Sequence, residues 1–394
     1  MSHKLISRSP DLKQLRDEGY DVEIRDGYLL LKNVPYVNAK KEINSGTLVS
    51  KLTLANDVTT KPDNHVVFFA GEYPCHQDGS AITKMQCDGL EHLGITDLVV
   101  NYTFSAKPTN GGYEDYYAKM TTYAAILSGP AQAIDPNVTA KTFPIIEAKE
   151  DESVFKYIDT ASSRSEIIVV TRKLELSKIA IIGLGGTGSY VLDLVAKTPV
   201  KEIHLFDGDK FLQHNAFRSP GAPSGDELGE RLHKTTYFER LYSKMRRGIF
   251  GHEVYIDATN VDQLQGMYFV FLCLDRGGAK RLIVEKLEEY VIPFVDVGMG
   301  VDMTDESLGG ILRVTTSTPE QRKHVWEKNR IPFPDSDGKN DYDRNIQIAD
   351  LNALNAALAV IKWKKLFGFY RDIDHEHFST YTIDGNMLIN EDKS

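Results

Sequence analysis

Residues 178–189 read Lys178-Ile-Ala-Ile-Ile-Gly-Leu-Gly-Gly-Thr-Gly-Ser189, a short apolar run that meets a cluster of glycines. A run that breaks at glycines and opens a helix is typical of a buried parallel strand followed by a phosphate-binding turn. Gly183 permits the sharp turn, Gly185 lets a phosphate approach the backbone, and Gly188 lets the helix pack close to the strand. Together with Gly186 they form the predicted nucleotide-binding turn, because the free N–H groups at the helix start face an anion.

Strand-like and helix-like segments alternate after this turn. Further buried strands are predicted at the apolar segments 202–206, 253–256, 268–274 and 293–297. The clearest helix is predicted at 345–367, where apolar residues recur every three or four positions beside many alanines. Such alternation predicts an α/β fold, a Rossmann-like domain with a mainly parallel sheet, for residues 151–394.

Polar and charged residues collect where the predicted strands end. Asp207-Gly-Asp209 follows the second strand, Asn215 and Arg218 come shortly after it, Lys234 opens a predicted helix, and Asp275 ends a later strand. A dehydrogenase needs only one acidic residue on the second strand, to hold a ribose. The added cations and carboxylates suit a triphosphate, because Arg and Lys neutralise phosphate charge and a carboxylate can hold Mg²⁺.

This combination resembles the adenylation domain of ubiquitin-activating enzymes and of their bacterial relatives ThiF, MoeB and HesA. The resemblance covers roughly residues 155–370 and rests on the glycine turn, the segment 207–218, Lys234 and Asp275. It implies that the C-terminal carboxylate of a ubiquitin-like protein attacks the α-phosphorus of ATP while pyrophosphate leaves. Since that nucleophile is already ionised, positioning and charge neutralisation would do most of the work.

The resemblance also assigns roles to single residues. Asp207, with Asp209 beside it, would bind the ribose hydroxyls. Asn215 and Arg218 would bind the phosphates of ATP. Lys234 would bind the phosphates and stabilise the transition state. ATP and Mg²⁺ are therefore the expected cofactors.

Two further assignments follow from the same resemblance. Asp275 would position the Mg²⁺ ion. Arg164 corresponds to an arginine that these enzymes supply from a helix ahead of the glycine turn, often across a dimer interface. The resemblance therefore implies a homodimer, with the region near Arg164 or the alanine-rich helix at its interface.

The step after adenylation stays open. Many relatives pass the acyl group to a cysteine in the loop before the last long helix, and that loop, about 315–343, contains no cysteine here. The acyl-adenylate would then go directly to a conjugating-enzyme-like partner, or a hydroxyl would take the acyl group as an oxyester. Ser336 lies near the usual cysteine position and Ser317 is the alternative, although a serine in such a loop is also an ordinary turn residue.

Residues 1–150 carry no recognisable catalytic motif. Short strand-like segments separated by Asp-Gly and Pro-Asp turns, with helix-like segments on either side, predict a smaller α+β domain. An extra module of this kind is similar to those of activating enzymes from bacterial ubiquitin-like conjugation gene clusters. We expect it to recruit the modifier or a conjugating partner.

Composition narrows the classes of partner. A chain of 394 residues is long enough for two domains. Its net charge of -10 argues against a nucleic acid as the main partner, because phosphate neutralisation needs a basic face. No apolar run approaches the roughly 18–20 residues that a membrane span needs, and the first residues do not form a signal peptide. The 3 scattered cysteines argue against a disulfide framework, so we expect a cytoplasmic protein.

Other functions compete with activation of a ubiquitin-like protein. Within the same enzyme class, the substrate would be a sulfur-carrier protein or a tRNA base. Outside it, the chain would be an NAD-dependent oxidoreductase or a nucleotide-binding scaffold without turnover. The crowded cations Arg218 and Lys234 are not explained by nicotinamide binding.

Overall fold

A computed structural model describes residues 2–87, 93–109, 111–148, 150, 153–165, 167–275, 277–333 and 346–394. The chain divides into two compact units, Met1–Ile146 and Glu147–Ser394. Among the helices in the described ranges, none combines the length and the apolar character that a membrane crossing requires.

The first unit is an α+β domain. Its helices and strands are α1 (Ser2–Arg8), α2 (Pro10–Asp17), β1 (Asp21–Arg25), β2 (Tyr28–Val37), β3 (Ile43–Lys51), β4 (Leu54–Ala55), β5 (Val58–Thr59), β6 (Val66–Ala70), β7 (Gln86–Cys87), β8 (Tyr102–Ser105) and α3 (Tyr116–Ile134). An antiparallel sheet has the strand order β1-β2-β3-β6-β8-β7. The helix α3 packs on this sheet and buries Tyr116 and Tyr123 in the same apolar core as Phe69. The predicted α+β module is confirmed.

The second unit carries the glycine turn. Its helices and strands are α4 (Thr160–Arg164), α5 (Ile168–Thr171), β9 (Lys178–Ile182), α6 (Gly186–Ala196), β10 (Glu202–Phe206), α7 (Gln213–Ala216), α8 (Gly225–Gly229), α9 (Lys234–Tyr242), β11 (Ile249–His252), β12 (Phe269–Leu272), α10 (Gly277–Glu289), β13 (Phe294–Thr304), β14 (Ser307–Ser317), α11 (Lys323–Glu327), α12 (Ala349–Leu366), β15 (Phe378–Thr382) and β16 (Met387–Glu391).

These strands form a sheet with the order β11-β10-β9-β12-β13-β14-β15-β16 in the described chain. The strands from β11 to β13 pair in parallel, and the remaining pairs are antiparallel. β9 lies between β10 and β12, so the chain leaves β9 to one side and returns on the other. Ligands of open α/β sheets bind at the carboxyl ends of strands at such a switch point. The mainly parallel α/β fold predicted from the sequence is confirmed.

Both faces of the parallel part are buried, as the unbroken apolar runs predict. Ile179 and Ile181 point to one core, which also contains Trp363 of α12. Ala180 and Ile182 point to the opposite core. The glycine turn is thus mounted on a strand that is held from both sides.

Element boundaries differ from the sequence interpretation in several places. The predicted strand at 253–256 is wrong, because the edge strand β11 is at Ile249–His252. Ile256 is buried, which explains its apolar signal, but it lies in irregular chain. The last strand of the parallel set runs on to Thr304, and the long helix begins at Ala349. Position 345, where that helix was predicted to begin, is outside the described residues.

Candidate nucleotide-binding site

Two glycines shape the turn between β9 and α6. Gly183 has φ +90°, and a Cβ on it would lie 2.6 Å from the carbonyl oxygen of Cys273. A Cβ on Gly188 would lie 1.9 Å from the carbonyl oxygen of Gly183. Both distances are far inside van der Waals contact, so the helix can approach the turn this closely only with glycine at these positions.

Helix α6 starts with an open end. Its N-cap is Gly185, and within the described chain no side chain caps the first turn. The N–H groups of that turn therefore keep their hydrogen-bonding capacity at the positive end of the helix dipole. A Cβ on Gly185 would meet nothing closer than Gln347 Oε1, at 4.0 Å. A phosphate has room to approach the backbone at this point.

The carboxylate of Asp207 holds the glycine turn against the end of β10. Its Oδ2 accepts a hydrogen bond from the Leu184 N–H at 2.7 Å, and its Oδ1 accepts one from the Asp209 N–H at 2.8 Å. Asp207 is only 6% exposed. The residue expected to bind ribose therefore also has a structural task, which is to fix the geometry of the turn.

Lys234 joins the same cluster from the first position of α9. Its Nζ lies 2.8 Å from Asp209 Oδ2 and 3.4 Å from Asp207 Oδ2. The Tyr255 hydroxyl donates a hydrogen bond to the other oxygen of Asp209. The predicted pair Asp207 and Asp209 and the predicted Lys234 are thus in direct contact, with a buried ammonium group between two carboxylates.

Asn215 and Arg218 lie on the segment that follows β10. Asn215 is buried, and its Oδ1 accepts a hydrogen bond from the Leu212 N–H at 2.9 Å, so its side chain closes its own helical turn. Arg218 is half-buried, and its Nε is buried without a hydrogen-bond partner in the described part of the chain. A buried donor without an acceptor is costly, and an anion would satisfy it.

The same segment borders an open cavity of about 540 Å³. Its lining residues are Gln213, Ala216, Phe217, Gly221, Ala222, Pro223, Gly225 and Leu228. None of these lining residues is charged, so the cavity does not suit a triphosphate. The glycine turn with its neighbouring cations is the better place for the phosphates.

Asp275 belongs to the same edge of the sheet. The Cys273 N–H donates to the carbonyl oxygen of Ile182 at 2.8 Å, which ties the end of β12 to the end of β9. Asp275 follows directly and is exposed. A single carboxylate here fits Mg²⁺, which takes one or two protein carboxylates together with substrate phosphates. The described residues contain no cluster of three or more His, Cys, Asp or Glu that would hold a metal without a nucleotide.

The remaining predicted residues form no hydrogen bond or ion pair with this cluster within the described chain, or lie outside the described chain. Arg164 ends α4 and is exposed. Ser336 lies outside the described residues. Ser317 ends β14 and is fully buried, so its hydroxyl is shielded from an incoming acyl group. Burial, reinforced by the Asp296 carboxylate, raises the pKa of the Cys273 thiol and keeps it protonated.

Two residues at the site were missed by sequence reasoning, and both belong to the region where α12 begins. The Oε1 of Gln347 is buried without a partner among the described residues, beside Gly185. Asn352 is fully buried, and its Oδ1 accepts a hydrogen bond from the Thr187 hydroxyl at 2.9 Å. The available signal was an asparagine inside an alanine-rich apolar stripe, where a polar side chain needs a partner.

Two known protein families match parts of the chain. Residues 162–321, which include the glycine turn, Asp207, Arg218 and Lys234, match the profile of the ThiF family. This segment is a ThiF-family domain. Residues 10–160 match a domain of unknown function, DUF6791. The suspected relation to ThiF-type adenylyltransferases is thereby confirmed, for the part of the chain that the profile covers.

The chain also resembles several solved structures. E. coli MccB crystallised with ATP is 18% identical, with a TM-score of 0.45, and the match covers 58% of this chain and 67% of that chain. E. coli MccB with AMPCPP and MccA is 18% identical, with a TM-score of 0.47, covering 60% and 71%. PaaA is 17% identical, with a TM-score of 0.44, covering 57% and 76%. No curated protein matches the chain.

Proposed function

We propose that this protein uses ATP to adenylate the C-terminal carboxylate of a ubiquitin-like protein. The observation that carries the proposal is the unpartnered Nε of Arg218, which lies on the segment tied to the first turn of α6. In the proposal, the Arg218 guanidinium group, the Lys234 ammonium group and the open start of α6 act on the same phosphates. That combination is suited to a reaction at phosphorus, where charge neutralisation and positioning supply most of the rate.

The proposed reaction transfers the AMP group of ATP to a carboxylate, with pyrophosphate as the leaving group. The backbone N–H groups at the start of α6 donate to phosphate oxygens. Arg218 neutralises the charge that develops on the phosphates. Lys234 turns from Asp209 towards the phosphates, which lie at the same sheet edge. Asp275 holds Mg²⁺, and the ion supplies further charge neutralisation when bound.

A homodimer is part of the proposal. The helix α5 has no buried residue, and its Val169 is 75% exposed, although the segment Ile167-Ile-Val-Val170 is entirely aliphatic. Exposed β-branched side chains in a row favour burial against another surface. We propose that a second copy covers them and that Arg164, just ahead of them, reaches the partner's phosphates. Val169→Asp should give a monomer in light scattering, whereas Lys173→Glu, two residues beyond the end of α5, should leave the dimer intact.

Transfer of the acyl group completes the proposed cycle. Cys273 is the cysteine of the ThiF-family unit, and its raised pKa and its place against the glycine turn make it a poor nucleophile. Two routes for the acyl group therefore remain in the proposal. The acyl-adenylate is delivered directly to a conjugating-enzyme-like partner that the first unit recruits, or the acyl group forms an oxyester on Ser336. A hydroxylamine-labile adduct that resists thiols and disappears in Ser336→Ala would support the ester route. An active enzyme that forms no adduct would leave direct delivery.

ATP–pyrophosphate exchange is the direct test of the proposed activity. A panel of ubiquitin-like and sulfur-carrier proteins with free C-termini should contain a member that makes exchange proceed, and its amidated form should not. Arg218→Ala should lower exchange about 100-fold, the usual cost of removing one such electrostatic donor. Arg240→Ala is the matched control, because its guanidinium pairs with Glu230 at an exposed place. ATP binding without exchange across the panel would instead indicate a nucleotide-binding scaffold.

A further inference from the structure

The side chain of Asn352 connects three parts of the nucleotide site. Its Oδ1 accepts a hydrogen bond from the Thr187 hydroxyl at 2.9 Å, in the first turn of α6. Its Nδ2 makes a longer hydrogen bond, of 3.5 Å, to the carbonyl oxygen of Arg218. Asn352 itself lies in the first turn of α12 and is fully buried. One carboxamide thus links the glycine turn, the Arg218 segment and the long helix.

Gly186 explains how this carboxamide fits. A Cβ on Gly186 would lie 2.0 Å from Asn352 Nδ2 and 2.3 Å from its Cγ. The carboxamide of Asn352 therefore occupies the space that a side chain at position 186 would need, so no larger residue fits there. Glycine is needed at position 186 because Asn352 lies so close, whereas glycine at position 185 leaves the backbone open to a phosphate.

A purely structural role does not account for a polar residue at this place. α12 packs on α6, and its Ala356 and Ala359 are fully buried in the apolar core that also contains residues of α6. Burying a carboxamide costs free energy unless its hydrogen bonds are made, so an apolar residue would serve packing equally well. The asparagine adds a fixed geometry, because its Oδ1 and its Nδ2 each bind a different segment. These two hydrogen bonds set the separation of the two segments.

We propose that Asn352 is a positioning residue that holds Arg218 and the start of α6 in register for the phosphates of ATP. This inference rests on the proposed function, because it requires that ATP binds at the glycine turn. Misplacement of a catalytic group by about 1 Å can cost roughly 100-fold in rate. Loss of the Asn352 link should therefore weaken the contribution of Arg218, even though Asn352 touches no substrate.

The chain offers a close control in Asn355, one helical turn further along α12. It is also fully buried, and its Nδ2 donates to the carbonyl oxygen of Gly298 in β13 at 3.0 Å. Asn352→Ala and Asn355→Ala remove the same side chain from the same helix. We expect similar losses of thermal stability from both. Only Asn352→Ala should weaken ATP–Mg²⁺ binding measured by calorimetry, by about tenfold or more.

A double-mutant cycle with Arg218 separates positioning from general destabilisation. If Asn352 acts through Arg218, then Asn352→Ala should have little further effect on ATP affinity in an Arg218→Ala background. Asn355→Ala should have the same effect in both backgrounds. Should Asn352→Ala fail to fold, Thr187→Val removes only the hydroxyl end of the link and is expected to show the same coupling with Arg218.

The possible results distinguish this inference from the proposed function. Wild-type protein that binds ATP, combined with equal effects of Asn352→Ala and Asn355→Ala or with additivity towards Arg218, would overturn the positioning role alone. Wild-type protein that does not bind ATP–Mg²⁺ would overturn both. Selective loss of affinity in Asn352→Ala that vanishes in the Arg218→Ala background supports the positioning role.

Discussion

The backbone N–H of Leu184 donates a hydrogen bond to Oδ2 of Asp207 at 2.7 Å, and this contact fixes the glycine turn. An acidic residue at the end of the second strand is usually considered for its contact with ribose. Here its carboxylate is also the acceptor that orients the turn and the counter-ion of Lys234. The geometry of the glycine turn therefore depends on a charge at the end of the neighbouring strand.

Replacement of Asp207 should consequently affect both folding and binding. Asp207→Asn removes the charge beside the buried Lys234 and replaces one acceptor oxygen with a donor. We expect the free energy of unfolding in urea to fall by about 2–4 kcal/mol, as when one partner of a buried charged contact is removed. ATP affinity should fall as well. Glu306→Gln, at the exposed turn before β14, is the control and should change stability by less than about 0.5 kcal/mol. Unchanged stability in Asp207→Asn would contradict the structural role.

Local signals explain which features could be predicted from the sequence. The strand, the glycines and the helix of residues 178–197 are consecutive, so their pattern is readable without any knowledge of the fold. The carboxyl-end position of Asp207 and Asp275 follows from the same alternation of strands. Asn352 could not be predicted in this way, since its partner Thr187 lies 165 residues away in the chain. Its role depends on how α12 packs.

The C-terminal segment shows a second limit of local reasoning. The sequence after Tyr370 is mostly polar and has no clear strand pattern, yet residues 378–382 and 387–391 form β15 and β16. β15 pairs with β14, and β16 pairs with β15, so an existing edge supplies the hydrogen-bonding partners. Strand formation of this kind is set by tertiary context more than by local propensity. The same applies to the edge strand β11, because the glycines in it and directly before it weaken the local sequence signal for a strand.

Two buried histidines should make the stability of the second unit depend on pH. His324 is 3% exposed and neither of its ring nitrogens has a hydrogen-bond partner in the described chain. Burial lowers the pKa of His324, and burial with the nearby Lys362 lowers the pKa of His377. Both rings are therefore harder to protonate in the folded chain than in the unfolded chain. Above about pH 6.5 this has no cost, because the unfolded chain is also neutral there.

Below pH 6.5 the unfolded chain takes up protons that the folded chain does not, so stability should fall as the pH is lowered. The slope is at most about 1.4 kcal/mol per pH unit for each histidine, until the folded-state pKa is reached. His324→Phe should make the decline between pH 7 and pH 5 shallower in urea titrations. Lys323→Ala, exposed on the same helix, should not change it. An equally steep decline in His324→Phe would show that this ring does not contribute.

Val291 is a site where a substitution should stabilise the protein. It follows α10 with φ +61° and is 59% exposed, and its N–H donates to the carbonyl oxygen of Glu288. Glycine is the usual residue at this place after a helix, because a β-branched side chain is strained in the left-handed conformation. Val291→Gly should raise the free energy of unfolding by about 0.5–1 kcal/mol, after the entropy cost of glycine in the unfolded chain. Val254→Gly, also exposed but without positive φ, should lower it. A loss of stability in both variants would exclude strain at Val291.

The glycine turn itself allows folding and binding to be separated by two alanine substitutions. Gly188→Ala would place a Cβ 1.9 Å from the Gly183 carbonyl oxygen, so the helix must shift, and we expect a loss of about 3 kcal/mol or more. Gly185 has φ −72°, and its Cβ would meet only Gln347 Oε1 at 4.0 Å, so Gly185→Ala should fold with nearly unchanged stability.

The new methyl group of Gly185→Ala would nevertheless occupy the approach to the first turn of α6. ATP–Mg²⁺ affinity in calorimetry should therefore fall at least tenfold in Gly185→Ala, or about 1.4 kcal/mol. Wild-type affinity in this well-folded variant would mean that the phosphates bind elsewhere, because the backbone they are proposed to contact would be covered.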